Sequence, residues 1–265
     1  MMQRSEGKPS GIVPSGAGSA KRFTGAVLFL GLLCGGASAK CQDGPDAGVD
    51  WSGCSKARLL LANDDLSGSN FTRSLLTLSD FGGSKLTGAK LVETEVSRTR
   101  FEAADLSLAD FTKAIGWRAN FGQANLTKAV FHAADMGRSN FAQVRAAGAN
   151  FSKSELNRSD FSGADLSGAD MSKAELARVN FQSANLSGAS FGYSNLSRAR
   201  LTGANLQGTD LTRSYLYLTQ LGGADLSGTM GLTQAQVDIA CGTAETKLPA
   251  GLVAPQSWPC TEDAE

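Results

Sequence analysis

The sequence has very little of what most enzymes and nucleic-acid-binding proteins use. Among its 265 residues there is one histidine, His132, with three tryptophans, three tyrosines and six prolines. One imidazole gives little scope for general acid–base or metal chemistry, and the glycines form no phosphate-binding loop between a strand and a helix. The 25 basic and 25 acidic residues cancel, which excludes the positive charge typical of nucleic-acid binding. The sequence therefore predicts no enzyme, cofactor or metal site.

A long apolar run is also missing, since the apolar stretch at residues 23–33 is too short to span a bilayer comfortably. A basic pair precedes this stretch, and Ala-Ser-Ala at 37–39 supplies a cleavage site, so residues 1–39 are predicted to be a signal peptide. Cys34 lacks the small preceding residue that a lipoprotein anchor needs. We expect cleavage near Ala39 and export to the periplasm or the extracellular space. An uncleaved segment would instead tie the chain to a membrane.

Cysteine is absent from the 186 residues that separate Cys54 from Cys241. The remaining four cysteines of the mature chain lie as one pair near each end, and an even number in an exported chain favours disulfides. Local pairing would join Cys41 to Cys54 and Cys241 to Cys260. A metal site is the alternative, but the chain has no C-x-x-C spacing and its one histidine lies far from all four in sequence.

What the sequence does have is a large apolar residue at every fifth position. In FSGADLSGADMSKAEL (161–176), Phe, Leu, Met and Leu lie five residues apart. In the register 61–226, 32 of 34 such positions are Leu, Phe, Met or Val, and the exceptions are Gly116 and Ala146. The residue two positions earlier is almost always Ala, Ser or Thr. A period of five fits neither a strand nor a helix, and a repeat this long decides the fold.

Units such as ADLSG (164–168) and ANLSG (184–188) resemble the A-(D/N)-L-x-x pattern of the pentapeptide-repeat family, over residues 57–230. The resemblance implies an all-β fold, the right-handed quadrilateral β-helix, in which four pentapeptides make one coil. It also implies that the large residue and the small one two positions before it point inward. Turns at the corners then let the same two positions of each pentapeptide face the core on every side.

The ends of such a solenoid need protection, because an open coil exposes unpaired strand edges and bare core. Both flanking segments have lost the repeat and carry the cysteines, and the second should hold a short helix that starts at Thr233. The predicted organisation is a signal peptide at 1–39, an N-terminal cap at 40–56, the repeat at 57–230 and a C-terminal cap at 231–265.

Two residue types recur every 20 positions, which supports a four-sided coil independently. Such spacing would stack each set into a ladder, with phenylalanine on two opposite sides and leucine on the other two. A core filled in this way leaves no cavity, so we expect no small-molecule pocket. The recurring residues are Arg98, Arg118, Arg138, Arg158, Arg178 and Arg198, and Phe81, Phe101, Phe121, Phe141, Phe161 and Phe181, with Phe111, Phe131, Phe151 and Phe191 half a period away.

The arginine ladder has two interpretations. As a functional feature it would be a line of guanidinium groups about 4.8 Å apart that can bind a polyanion. As a structural feature it would be compensated by carboxylates three residues earlier, which project from the same side and relieve the repulsion. Those carboxylates are Glu95, Asp135, Glu155 and Glu175.

Large apolar residues also occupy eleven outward positions, and seven of them lie on the side of the ladder: Leu75, Leu78, Ile115, Trp117, Tyr215, Tyr217 and Leu218. Arginine with aromatic residues is the composition of a protein-contact surface. The alternative is that Trp117 covers a hole left by Gly116 and that the residues near the ends pack under the caps. The candidate protein-contact face consists of Trp117, Arg118, Arg138, Arg158, Arg178, Tyr215 and Tyr217.

The sequence thus predicts an exported, non-enzymatic scaffold or protein-interaction module whose partner is a protein. The alternative that the resemblance implies is DNA mimicry, by which the family's quinolone-resistance members shield gyrase, a topoisomerase. Mimicry needs a strongly acidic surface, whereas residues 57–230 carry 18 basic and 16 acidic side chains. We therefore expect a protein partner and no nucleic acid.

Overall fold

The fold comes from a computed structural model that describes residues 40–260. The predicted signal peptide and cleavage site lie outside the described residues. Each five-residue unit contributes one residue to a parallel β-bridge with the residues 20 positions before and after it, from Asp50–Asn70 to Asp210–Met230. Twenty residues therefore complete one coil, and each coil has four sides.

The described strands are single-residue bridges, and the helices are short. A 3-10 helix spans Lys40–Gln42, and the one α-helix within residues 40–260, α1, spans Gln234–Asp238. Within residues 40–260, no helix is long and apolar enough to cross a membrane. No group of three or more His, Cys, Asp or Glu side chains in this part of the chain is placed to hold a metal ion.

A turn after each large residue explains the period of five. After Leu66, for example, Ser67 and Gly68 form the turn, and the backbone N–H of Ser69 donates to the carbonyl of Leu66 at 3.2 Å. The second turn residue has positive φ, 68° at Gly68, as in a type II turn. Asp or Asn before the large residue braces many of these turns, as where Ser67 N–H donates to Asp65 Oδ1 at 3.1 Å. Each side thus consumes one bridge residue, two inward residues and two turn residues.

Stacked phenylalanine rings fill the interior, as the spacing of 20 predicts. Phe141 stacks on Phe121 and Phe161 with ring centroids 4.7 and 4.6 Å away. It meets Phe131 and Phe151 of the opposite side edge to face, at 5.8 and 5.9 Å. All five rings are fully buried. Stacked contacts along each side and edge contacts across the coil are both favourable for aromatic pairs.

The small inward residues complete the core, and many of their polar atoms are paired, with the buried hydroxyls of Ser74 and Ser194 as exceptions. Several of the buried Ser and Thr hydroxyls donate to the carbonyl of the large residue one coil earlier, as Thr94 does to Phe71 at 2.7 Å and Ser159 to Met136 at 2.9 Å. Buried hydroxyls need such acceptors, because desolvating them unpaired is costly. The pairing explains why Ala, Ser and Thr share this position.

The regular coil begins earlier than the boundary that the sequence predicts. Asp50 already forms the first bridge, and Trp51 and Cys54 take inward positions inside the predicted N-terminal cap. Trp51 is fully buried and extends the ring column onto Phe71, with centroids 5.8 Å apart. The sequence pattern does not reveal this coil, because Trp51 and Cys54 are not the usual residue types of the repeat, although they fill the same inward positions. Cys54 is bonded to Cys41, with Cα atoms 5.7 Å apart.

The C-terminal end is closed by α1 and a strap that follows it. Thr233 is the N-cap residue, and the Gln236 side chain accepts from its backbone N–H at 2.9 Å. The side-chain amide of the same Gln236 donates to the backbone carbonyl of Leu211 at 2.9 Å, so this carbonyl near the C-terminal end of the coil has a hydrogen-bond donor. Beyond the helix, Cys241 is bonded to Cys260, with Cα atoms 5.4 Å apart.

Candidate protein-contact face and an adjoining groove

One corner of the coil carries the arginine ladder, and we call it the arginine corner. Every residue in it is the second residue of a turn and has positive φ, for example 60° at Arg138. Such a conformation costs an L-residue about 1–2 kcal/mol, and glycine avoids that cost. Nevertheless the corner has no glycine, and it consists of Arg58, Leu78, Arg98, Arg118, Arg138, Arg158, Arg178, Arg198 and Leu218.

The diagonally opposite corner has the same backbone and nearly the opposite composition, and we call it the glycine corner. Its φ values match, with 60° at Leu108 and 64° at Gly168. It consists of Gly48, Gly68, Gly88, Leu108, Lys128, Gly148, Gly168, Gly188 and Gly208. The turn itself therefore does not require arginine. Non-glycine residues also have positive φ at the other two corners, as Glu93 and Ala103 do, and what distinguishes the arginine corner is its run of arginine side chains.

The six ladder arginines are not neutralised by the carboxylates that the structural interpretation assigns to them. Within residues 40–260, none of the six guanidinium groups forms an ion pair or a side-chain hydrogen bond. Two of the carboxylates are engaged elsewhere: Asp135 accepts from the Trp117 indole at 2.6 Å, and Glu175 accepts from Asn195 at 2.9 Å. The structure thus shows no direct pairing between the six arginines and these carboxylates within residues 40–260, and the structural interpretation of the ladder stays a prediction.

A neighbouring corner shows what a paired cation looks like in this fold. Arg73 lies 2.8 Å from Glu93 one coil later, and its guanidinium lowers the pKa of that carboxyl by hydrogen bonding and charge. Further along the same corner, Arg213 donates to the Tyr193 hydroxyl at 3.0 Å. Residues 20 positions apart can therefore pair, and the arginine corner does not use that option.

Trp117 lies next to Arg118, beside the middle of the arginine corner, and does not cover a hole. The space that a side chain at Gly116 would need is already taken by the Met136 thioether, so the core is filled there without the indole. The ring lies instead over the next coil, where a β-carbon on Gly137 would lie 3.6 Å from it. With 46 % of its surface exposed, Trp117 is a rigidly held aromatic surface beside Arg118.

Leu75, Leu78 and Ile115 are also exposed, and the three apolar residues near the C-terminal end of this side divide into two groups. Tyr215 and Tyr217 stack at 6.1 Å and remain 51 % and 43 % exposed, so they are not packed under the cap. Leu218 is half-buried, and its backbone N–H donates to Ile239 in the segment after α1. The structure therefore keeps the two tyrosines on the surface and assigns Leu218 to the cap contact.

A groove of about 730 Å³ adjoins the C-terminal end of the arginine corner. Three parts of the chain line it: the corner itself, the outer surface of the last coils, and the strap after α1. Its cationic lining residues are Arg178, Arg198 and Arg200, and Glu245 is the carboxylate among its lining residues. The expectation that the chain has no small-molecule pocket is therefore wrong. The interior of the coil is filled as expected, but the strap after α1 lies against the outside of the last coils and forms this groove.

Sequence reasoning missed two residues of this region. Arg58 begins the arginine corner two coils before the first residue of the ladder, Arg98, and Arg200 lies beside Arg198 in the groove. The frequency of glycine at the same turn position elsewhere in the repeat was the signal that could have shown the ladder to be strained. His132 is half-buried and shares a hydrogen bond of 2.8 Å with Ser152.

Solved structures similar to this chain are pentapeptide-repeat proteins. One is HetL of the cyanobacterium Nostoc sp. strain PCC 7120, involved in heterocyst differentiation regulation, at 26 % identity over 69 % of this chain and 90 % of HetL, with a TM-score of 0.44. Another is full-length QnrB1, a plasmid-mediated fluoroquinolone resistance protein, at 18 % identity over 79 % of this chain and 94 % of QnrB1, with a TM-score of 0.36. A comparison with curated proteins finds no match.

Family models describe the same repeat along the chain. The model of the pentapeptide repeat region matches residues 117–191, and the model of pentapeptide repeats in eight copies matches residues 65–102 and 194–229. Together they cover more than half of the chain, and they fall on the coil that the bridges define. The chain therefore belongs to the pentapeptide-repeat family, whose fold is the right-handed quadrilateral β-helix.

Proposed function

We propose that the chain is an exported, rigid scaffold that binds a protein partner through the arginine corner and the exposed aromatic residues beside it. The observation that carries the proposal is the column of unpaired guanidinium groups on strained backbone, next to Trp117. Arginine and aromatic side chains are enriched at the energetic centres of protein interfaces. A non-enzymatic role fits this surface.

The coil suits such binding because its surface is already ordered before the partner binds. Backbone hydrogen bonds join every coil to the next, and the stacked rings fill the interior. A pre-organised surface loses less entropy on association than a flexible one. The consequence is a fixed spacing of about 4.8 Å between successive guanidinium groups, which a partner can match.

The charge of the corner indicates the chemistry of the partner. Six arginines without ion pairs in residues 40–260 favour an acidic protein surface, since guanidinium groups bind carboxylates in bidentate geometry. The same column opposes DNA mimicry, because a basic stripe repels a surface built to hold DNA. We therefore propose an acidic protein, and no nucleic acid, as the partner.

A triple variant tests the proposal. Trp117→Ala, Arg118→Ala and Arg138→Ala together should abolish recovery of a partner from the native envelope or secreted fraction, and should leave the circular-dichroism spectrum unchanged. Central aromatic and arginine residues typically lose about 2 kcal/mol or more of binding energy on truncation. Binding of the purified partner should also weaken as salt rises, because exposed charges are screened.

The matched control removes the same number of cations and one exposed apolar residue from the opposite part of the coil. Leu108→Ala, Lys128→Ala and Arg145→Ala should leave recovery of the partner unchanged. Equal loss of the partner in both variants would contradict the assignment of the arginine corner. An unchanged recovery in the first variant would contradict the protein-contact role itself.

Export and the disulfide-stapled caps belong to the same proposal. Protein purified from the native envelope or secreted fraction should begin near Lys40, and its peptide map without reductant should contain Cys41–Cys54 and Cys241–Cys260. Their short Cα distances, 5.7 and 5.4 Å, are suitable for disulfides. Four reactive thiols, or an intact N-terminus on a cytoplasmic chain, would contradict this part.

A further inference from the structure

We propose that the groove beside the C-terminal cap binds a small organic phosphomonoester, a role beyond the protein-contact face. The groove has a volume of about 730 Å³ and is lined by cationic and apolar groups together. Its volume falls within the usual range for small-molecule sites, about 300–1,000 Å³. Charge, local neighbours and rigidity each support this ligand class.

The charge of the lining matches a dianion. Arg178, Arg198 and Arg200 face one carboxylate, Glu245, which leaves a surplus of two positive charges. Within residues 40–260, none of the three guanidinium groups forms an ion pair or donates a side-chain hydrogen bond. A phosphomonoester carries about 1.5–2 negative charges near neutral pH, and guanidinium groups bind phosphate in bidentate geometry.

Arg200 has an internal comparison that shows how an arginine in this column is otherwise neutralised. Arg100 occupies the same position five coils earlier and pairs with Asp80 at 2.9 Å and with Glu102 at 3.7 Å. The corresponding neighbours of Arg200 are Asn180 and Thr202, which are uncharged. The groove thus lacks the carboxylates that the same fold supplies elsewhere, so an external anion can take their place.

The rest of the lining suits an organic group rather than a bare ion. Leu218, Pro259 and the Cys241–Cys260 disulfide provide apolar surface next to the guanidinium groups. Burial of an aryl or alkyl group against such a surface is favourable. A ligand with a phosphate at one end and an apolar body at the other therefore fits both parts.

The wall of the groove is fixed before a ligand arrives. Trp258 packs so closely on Gly242 that a β-carbon there would overlap the indole ring. The indole N–H donates to the carbonyl of Ala240 at 2.6 Å. With the disulfide nearby, these contacts hold the strap against the coil, and a pre-formed site binds with a smaller entropic cost.

Calorimetric titration of the full chain with phenyl phosphate tests the proposal. We expect a dissociation constant of about 0.1 mM, typical of a ligand of this size. Arg198→Gln with Arg200→Gln should weaken binding by at least about tenfold, since two charge-assisted contacts are removed. Arg100→Gln, the matched control from the same column, should leave binding unchanged.

Titrations with two further ligands measure the contributions of the apolar group and of the charge separately. Inorganic phosphate should bind about tenfold more weakly because it leaves the apolar lining unused, and phenyl sulfate should also bind more weakly because it carries one charge. Glu245→Gln should tighten binding, since it removes the opposing charge. In NMR spectra, phenyl phosphate should shift the Trp258 indole N–H signal.

Several results would overturn the proposal. These are the absence of heat and of indole shifts at millimolar phenyl phosphate, unchanged binding in the Arg198/Arg200 variant, or equal loss in the Arg100 control. Equal affinity for phenyl phosphate and inorganic phosphate would overturn the organic part. Arg198 also belongs to the arginine corner, but the titration contains only the purified chain and the small ligand. Its result therefore does not depend on the protein-contact role, which the Trp117, Arg118 and Arg138 variant tests.

Discussion

The arginine corner and the glycine corner share one backbone conformation and differ almost completely in side chains. Arg138 and Gly168 have φ values of 60° and 64°, so the same turn is built once with a residue that strains it and once with a residue that does not. The glycine corner shows what the fold needs for its turns. What the arginine corner has in addition must be attributed to its side chains, and these are exposed and unpaired within residues 40–260 for most of the column.

The comparison depends on a coil that holds both corners in register, and the core sets that register. Phe141→Ala should destabilise the protein by about 3–5 kcal/mol, because a large cavity cannot collapse between stacked neighbours. The residue loses two stacked and two edge contacts at once. Chemical denaturation measures the change.

Phe141→Leu is the control, since leucine occupies the same side at Leu201 and Leu221. It should cost clearly less than the alanine variant, because most of the volume is kept. A loss below about 1 kcal/mol for Phe141→Ala would show that the ring column does not determine the register. The comparison between the arginine corner and the glycine corner would then fail, because it assumes that the ring column holds both corners in register.

Adding an arginine to the glycine corner tests the strain directly. Gly168→Arg should destabilise the protein by about 1 kcal/mol, since an L-residue pays for positive φ and glycine does not. No atom lies within 4 Å of a β-carbon built on Gly168, so the cost is conformational rather than steric. Equal stability of the variant and the parent would mean that the repeat relieves the strain by itself.

The reverse change tests the arginine corner. Arg138→Gly should stabilise the protein by about 0.5–1 kcal/mol, the strain released minus the greater entropy of glycine in the unfolded chain. Partner binding should fall in the same variant. A protein that becomes more stable and loses function would identify Arg138 as kept for binding. A loss of stability would instead show that the guanidinium group supports the fold.

The sequence predicted the regular parts of this molecule because they depend on short, repeated patterns. The five-residue register predicted which residues are buried, and the spacing of 20 predicted the stacked rings around Phe141. The first coil escaped prediction because Trp51 and Cys54 replace the usual Leu or Phe and small residue while filling the same space. Function of the contact face stays a prediction from composition and placement.

The groove could not be predicted from the repeat, since it arises where a segment without the repeat lies against the coil. Its position depends on Trp258 packing on Gly242 and on the bond between Cys241 and Cys260. Neither contact has a local pattern, and both join residues 16 or more positions apart. The unpaired state of Arg200 likewise depends on residues 20 positions away, which only the coil brings together.

Charge and strain in the arginine corner can be separated by a smaller effect. Glutamine occupies turn positions of the same kind at Gln123 and Gln143, with φ of 61° and 58°, so Arg118→Gln and Arg138→Gln keep the strain and remove the charge. Like charges stacked along a sheet repel by a few tenths of a kcal/mol per pair, about 0.2–1. The double variant should therefore be slightly more stable than the parent at low salt. That difference should vanish at about 1 M salt, where screening is nearly complete beyond 3 Å, and denaturation midpoints at the two salt concentrations measure it.

A parent protein that is the more stable of the two at low salt would show that the column is held by favourable interactions with nearby carboxylates, and the arginine corner would then differ from the glycine corner for structural reasons.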